Sequence, residues 1–184
     1  VAMIGTTDDP IDTLEWHEKI AADPSIDVKV CPSFRPDKAV NIHKAGFVEY
    51  MGKLAASVGK SGFDSVEDVC AALTQRLEFF AKLGCRASDH GLDYVPFRPC
   101  SPKKADEAFK KAMAGEEVST KEAERYQTAI LLHLGREYRR LGIVMQIHYS
   151  CLRNTNERMF AKMGPDTGFD AIAQNTCGGN IAGL

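Results

Sequence analysis

Four short polar clusters in this chain carry side chains able to do chemistry, and each one follows an apolar run. Thr6-Thr7-Asp8-Asp9 follows Val1–Gly5, and Ser33-Phe34-Arg35-Pro36-Asp37 follows Val28–Cys31. Ser88-Asp89-His90-Gly91 follows Gly84–Ala87, and His148-Tyr149-Ser150 follows Ile143–Ile147. Arg35 presents fixed, planar donors that match a carboxylate two at a time. A salt bridge to Asp37 is the plainer use of the same group. Asp89 and His90 put an acid and a base side by side, which suits proton transfer. A turn-forming Asp beside a bracing His explains them too, because sequence neighbours need not face each other. His148 is of a type that ligates metal or simply hydrogen-bonds at a strand end. Asp8 and Asp37 read as caps of the helices that follow them. His17, His43 and His133 have no partner at metal-ligand spacing and read as helix surface or packing residues.

Positioning such clusters is the work of strands followed by helices. Pro10 reads as the first turn of a helix running to about Ala22. Asn41–Val58 looks mostly helical, with Phe47, Tyr50, Met51 and Leu54 on one face. Ser65 caps a stronger helix, with Asp68 at the capping-box position, and Val69, Leu73, Leu77 and Phe80 form its stripe. Ser101-Pro102 opens a charged helix to about Ala114. Ser119 with Glu122 is a full capping box for a helix to about Leu141. Asn154–Met163 reads as a last short helix. Strand, reactive tip and helix, repeated, predict an α/β fold: a partial TIM-type (β/α) barrel of about four parallel β/α units. Residues 1–184 read as a fragment of one barrel domain, with a helical insertion over 94–118 between the third and fourth strands. Both ends read as cut within apolar patterns, so a piece of a larger enzyme is expected. An open half-barrel would self-associate through its strand edges.

The chain has 184 residues, 44% of them hydrophobic, enough for a real core. Its net charge is −2, from 23 Lys and Arg against 25 Asp and Glu. That balance gives no basic stripe for nucleic acid and no polybasic membrane patch. No apolar run approaches the roughly 20 residues that span a bilayer, and no basic leader pattern opens the chain. The six cysteines form no Cys-x-x-Cys pair. Free thiols in a reducing cytoplasm are the expected state.

A family resemblance becomes specific in the run Met145-Gln146-Ile147-His148, then Leu152-Arg153-Asn154, then Gly164-Pro165-Asp166-Thr167-Gly168-Phe169-Asp170. Together with Thr6-Thr7-Asp8-Asp9-Pro10, Phe34-Arg35-Pro36-Asp37 and Asp89-His90-Gly91, it resembles the uronate (glucuronate) isomerases of the amidohydrolase superfamily. The resemblance covers essentially the whole chain. Tyr149-Ser150-Cys151 departs from it, standing where relatives carry a smaller, Gly-containing run. The resemblance implies aldose–ketose interconversion of uronates, glucuronate with fructuronate and galacturonate with tagaturonate, through an enediol. It implies Arg35 and Arg153 as substrate-binding residues, although Arg153 also suits anchoring of the next loop. It implies a divalent metal, zinc or similar, with His148 as a metal-facing candidate. Asp89 and His90 are the candidates for proton transfer. The family's His-x-His pair and last-strand Asp have no counterpart here, so the isolated chain is expected to be inactive. A metal-dependent amidohydrolase on the same barrel and a non-catalytic sugar-acid-binding fragment are the alternatives.

Overall fold

The fold is set by parallel strands whose backbone groups are shared between neighbours. The computed structural model describes residues 1–174 and 177–184. Strand β1 (Met3–Asp8) pairs in parallel with β2 (Lys29–Phe34), from Met3 opposite Lys29 to Asp8 opposite Phe34. Strand β3 (His90–Leu92) pairs in parallel with β4 (Ile147–Tyr149). Two isolated parallel bridges, Phe34 to Ser88 and Ala87 to Val144, carry the pairing on from β2 through the third segment to the fourth. The four segments therefore follow one another in chain order, and each connection contains a helix, as parallel pairing requires.

Those connections are helices α1 (Glu15–Ala22), then α2 (Asp37–Val40), α3 (Phe47–Ser57) and α4 (Val66–Lys82), then α5 (Pro102–Met113) and α6 (Thr120–Leu141). A small antiparallel pair, β5 (Cys151–Leu152) with β6 (Ala171–Ile172), brackets α7 (Glu157–Met163), and α8 (Gly178–Gly183) follows. Among the described residues no helix is long and apolar enough to cross a membrane.

Local signals set the long helices. The Ser65 side chain accepts the Asp68 N–H, and Ser119 and Glu122 form a reciprocal capping box, satisfying N–H groups that lack helical partners. Gly142 ends α6 in the left-handed region at φ 67°. The core lies where α3, α4, α5 and α6 meet β2. Phe34 packs edge-on against Phe80, 5.1 Å between ring centres, and against Tyr138 at 6.4 Å. Phe109 of α5 stacks on Tyr126 of α6 at 5.9 Å. Segment 94–118 thus carries a helix whose Ala105, Ala108, Phe109 and Ala112 are buried.

Three expectations are corrected. The helix proposed from Pro10 begins only at Glu15. Residues 9–12 form a turn instead, in which the Asp9 carboxylate accepts the Ile11 N–H, and Leu14 adopts a positive φ of 56°. Asp8 does not cap it; its carboxylate accepts the Thr6 hydroxyl at 2.7 Å and the Ser33 N–H at 3.3 Å. Of the mostly helical stretch read over 41–58, the helix begins only at Phe47. Asn41 is buried there, accepting a 3.3 Å hydrogen bond from the Gln127 amide, and Gly46 restarts the chain at φ 83°. Finally, the third strand does not stop at Ala87. The Ser88 and His90 N–H groups donate to the Val144 and Gln146 carbonyls, while the Asp89 N–H donates to Phe34. The polar cluster is therefore strand, not tip, and β4 likewise includes His148.

Candidate active site

Arg35 follows directly on the last residue of β2. Its Nε donates to Asp37 Oδ2 at 2.8 Å, and a terminal nitrogen donates to Asp89 Oδ2 at 3.3 Å. The salt bridge to Asp37 considered from sequence is present, but it leaves most of the five guanidinium donors available. Asp37 does not cap α2. Its two oxygens accept the Gly91 N–H at 2.9 and 3.1 Å, 54 positions further along the chain. The hydrogen bond to Asp37 raises the Arg35 pKa above its ordinary value, outweighing partial burial. Burial raises the Asp37 carboxyl above the usual carboxylate range even though Arg35 and Gly91 pull it down. Pairing favours both charged forms; the enclosure of the carboxylate opposes it.

Asp89 joins the segments. Besides Arg35 from β2, its carboxylate accepts the Thr7 hydroxyl of β1 at 3.1 Å and lies 3.1 Å from His148 Nε2 of β4. Four parallel segments therefore converge on one carboxylate. Strand alternation turns His90 the other way. It is fully buried, with Nε2 3.0 Å from the Tyr138 hydroxyl, and burial pushes its pKa down to about 4. The sequence-adjacent pair does not meet side by side, so the acid/base couple expected of it is not formed. The Tyr138 hydroxyl is pushed up by its own burial.

Arg35, Asp37, Gly91 and His148 line a cleft of about 950 Å³, together with Lys38, Tyr50, Tyr149, Cys151 and Arg153 among others. Arg153 lies on its rim, held by Asp170 at 2.7 Å and Asp166 at 3.6 Å, so it ties the 164–170 loop to β5. Tyr149 and Cys151, where the sequence departs from the family pattern, both face the cleft. Sequence reasoning missed three contributors. Tyr50 read as a packing residue, and it is buried, but its hydroxyl donates to Asp9 at 2.7 Å. Lys38 pairs with the same Asp9 at 3.1 Å, and Lys44 pairs with Asp93 at 3.2 Å across the mouth. A lysine's sequence position carries no signal for a partner in another element. Two histidines not read as site residues are also hydrogen-bonded within the fold: His17 Nε2 lies 2.7 Å from Thr6 Oγ1, and His133 Nε2 lies 2.8 Å from Thr74 Oγ1.

Among the described residues, no group of three or more His, Cys, Asp or Glu side chains is arranged to hold a metal ion. His148 and Asp89 offer one imidazole nitrogen and a carboxylate, fewer donors than a metal site with three protein ligands needs. All six thiols are free. Cys31, Cys85 and Cys177 are buried, and burial pushes the Cys85 thiol up and the half-buried Cys70 thiol up to about 12, away from activation as nucleophiles.

Comparison with known proteins places this arrangement. The chain matches the family described as glucuronate isomerase over residues 1–184. The uronate isomerases of Salmonella newport (strain SL254) and Salmonella typhi are each 52% identical over 178 residues, covering 95% of this chain and 37% of theirs. The crystal structure of uronate isomerase from Thermotoga maritima aligns with a TM-score of 0.86 at 31% identity, over 95% of this chain and 38% of that one. Glucuronate isomerase from Caulobacter crescentus shares the fold, with a TM-score of 0.86 at 23% identity over 99% of this chain and 37% of its own. The chain thus spans a little over a third of the length of these relatives. With the family matched from first residue to last, the chain belongs to the glucuronate isomerases.

Proposed function

We propose that the longer protein containing this chain is a uronate isomerase, interconverting glucuronate with fructuronate and galacturonate with tagaturonate. The observation that carries the reading is the convergence on Asp89 of Arg35 and His148, both of which line the cleft, in a chain of this family. Arg35 retains unused donors facing the cleft and would hold the sugar carboxylate. Asp89, rather than the enclosed His90, would handle the proton moved between C2 and C1. Its carboxylate accepts from Thr7 and Arg35 and lies 3.1 Å from His148, and Arg35 and His148 both line the cleft. Arg153 braces the loop at the rim and would contact a substrate oxygen. His148 and Asp89 by themselves offer too few donors to hold a metal. His148 would contribute one ligand to a divalent cation, zinc or similar, whose other ligands lie elsewhere, and such an ion would stabilise developing negative charge on the substrate oxygens.

In this reading the four segments are half of a (β/α) barrel, with 94–118 a helical insertion that buttresses the α6 side. The exposed Met3, Ile4 and Val144 would then be covered by the remaining strands, or by self-association where these are missing. Sugar acid is the proposed partner, in the cytoplasm, with no nucleic acid or membrane.

The test is Arg35→Lys in the full-length protein, which keeps the charge and loses the planar fork. Losing one charge-assisted hydrogen bond costs roughly 1.5–3 kcal/mol, or on the order of tenfold to a hundredfold in kcat/KM for a uronate. A neutral aldose, which offers no anion, should be little affected. Equal losses for both sugars, or none for either, would remove Arg35 from carboxylate recognition.

A further inference from the structure

The Asp37–Gly91 contact does more than join two segments. The Asp37 carboxylate accepts Arg35 Nε with one oxygen and the Gly91 N–H with both, so it is fixed to β3 while it holds the guanidinium. A side chain at position 91 would displace Arg35 or Asp37. A Cβ built on Gly91 would lie 2.5 Å from a terminal nitrogen of Arg35 and 2.9 Å from Asp37 Oδ2, closer than real Cβ atoms approach. One terminal nitrogen of the guanidinium therefore lies close against the backbone of β3 at Gly91, while Nε donates to Asp37 and the other terminal nitrogen to Asp89. A planar fork recognises a carboxylate only in a defined orientation, so whatever sets its plane sets recognition.

We infer that Asp37 and Gly91 form a clamp that positions Arg35, making Asp37 a positioning residue for sugar-acid binding although it need not touch the substrate. This deepens the carboxylate reading of Arg35 and rests on it. The clamp acts mainly on binding geometry, because Thr7 and His148 also contact the proton-handling carboxylate. Burial opposes the charged form of Asp37, while the hydrogen bonds to Arg35 and Gly91 favour it.

The experiment is steady-state kinetics of the full-length protein with glucuronate, for Asp37→Asn and Gly91→Ala, each checked for folding by circular dichroism. Both should raise KM at least tenfold, with a smaller loss in kcat. In an Arg35→Lys background, Asp37→Asn should add less than twofold, because a residue that acts through Arg35 has nothing left to position. An unchanged KM in Asp37→Asn, or an equal loss with Lys at position 35, overturns the clamp while leaving the Arg35 reading intact. Should Arg35→Lys alone leave the uronate KM unchanged, the carboxylate reading fails first and the clamp falls with it. If Gly91→Ala does not fold, the Asp37→Asn series decides the matter alone.

Discussion

His90 is the residue whose environment differs most from what its neighbours suggest. In sequence it stands between an aspartate and a glycine, a setting for a turn. In the fold it is sealed against Tyr138, and its pKa falls to about 4 from an ordinary 6.5. The unfolded chain takes up a proton on this group as pH falls below 6.5, whereas the native chain resists until about pH 4. Stability is therefore full above pH 6.5 and is lost progressively down to pH 4, by on the order of 3 kcal/mol for a shift of this size. His90→Gln keeps a polar partner for Tyr138 and removes the titration. Urea unfolding at pH 7, 5.5 and 4.5 should show a shallower acid loss in that variant. An unchanged pH dependence would mean that His90 is not kept neutral. The two faces of the Asp89-His90 pair follow from strand alternation, which was not legible because the cluster did not read as strand. The Arg35–Asp37 pair was legible, being local. Its anchor at Gly91 was not, since nothing in either local sequence points 54 residues away.

At the level of elements, the long helices were read correctly because their signals are short-range. Ser65 with Asp68 and Ser119 with Glu122 mark N-termini within four residues, and regular apolar spacing marks the buried faces. Errors occurred where tertiary partners override such signals. Asp9 makes hydrogen bonds to the turn and to Tyr50, so no helix starts at Pro10; buried Asn41 turns to Gln127, so no helix crosses it. Strand ends were misplaced for a related reason. Ser88, Asp89 and His90 satisfy their N–H groups on neighbouring strands while Asp89 adds its carboxylate to the site, a combination that hydrophobic patterning misses. The packing that holds β2 in place is testable. Phe80 of α4 is fully buried against Phe34, adjacent to Arg35. Phe80→Ala should cost about 3–5 kcal/mol by urea unfolding, with a smaller loss for the half-buried Phe79→Ala. Equal, small losses in both would show that α4 does not brace the strand.

For the whole molecule, the alternation of apolar run, polar cluster and helix was enough to anticipate parallel segments in chain order with their reactive groups together. Thr7, Arg35, Asp89 and His148 do meet. Closure into a barrel needs more parallel strands than the four segments among the described residues, and it belongs with the activity to the proposal. That activity is tested most directly by incubating the full-length protein with glucuronate and with galacturonate in deuterated water. The account predicts formation of the corresponding ketose from at least one of them, with exchange of the C2 hydrogen on return to the aldose. No ketose and no C2 exchange with either sugar acid, alongside hydrolysis of an amide substrate, would contradict it.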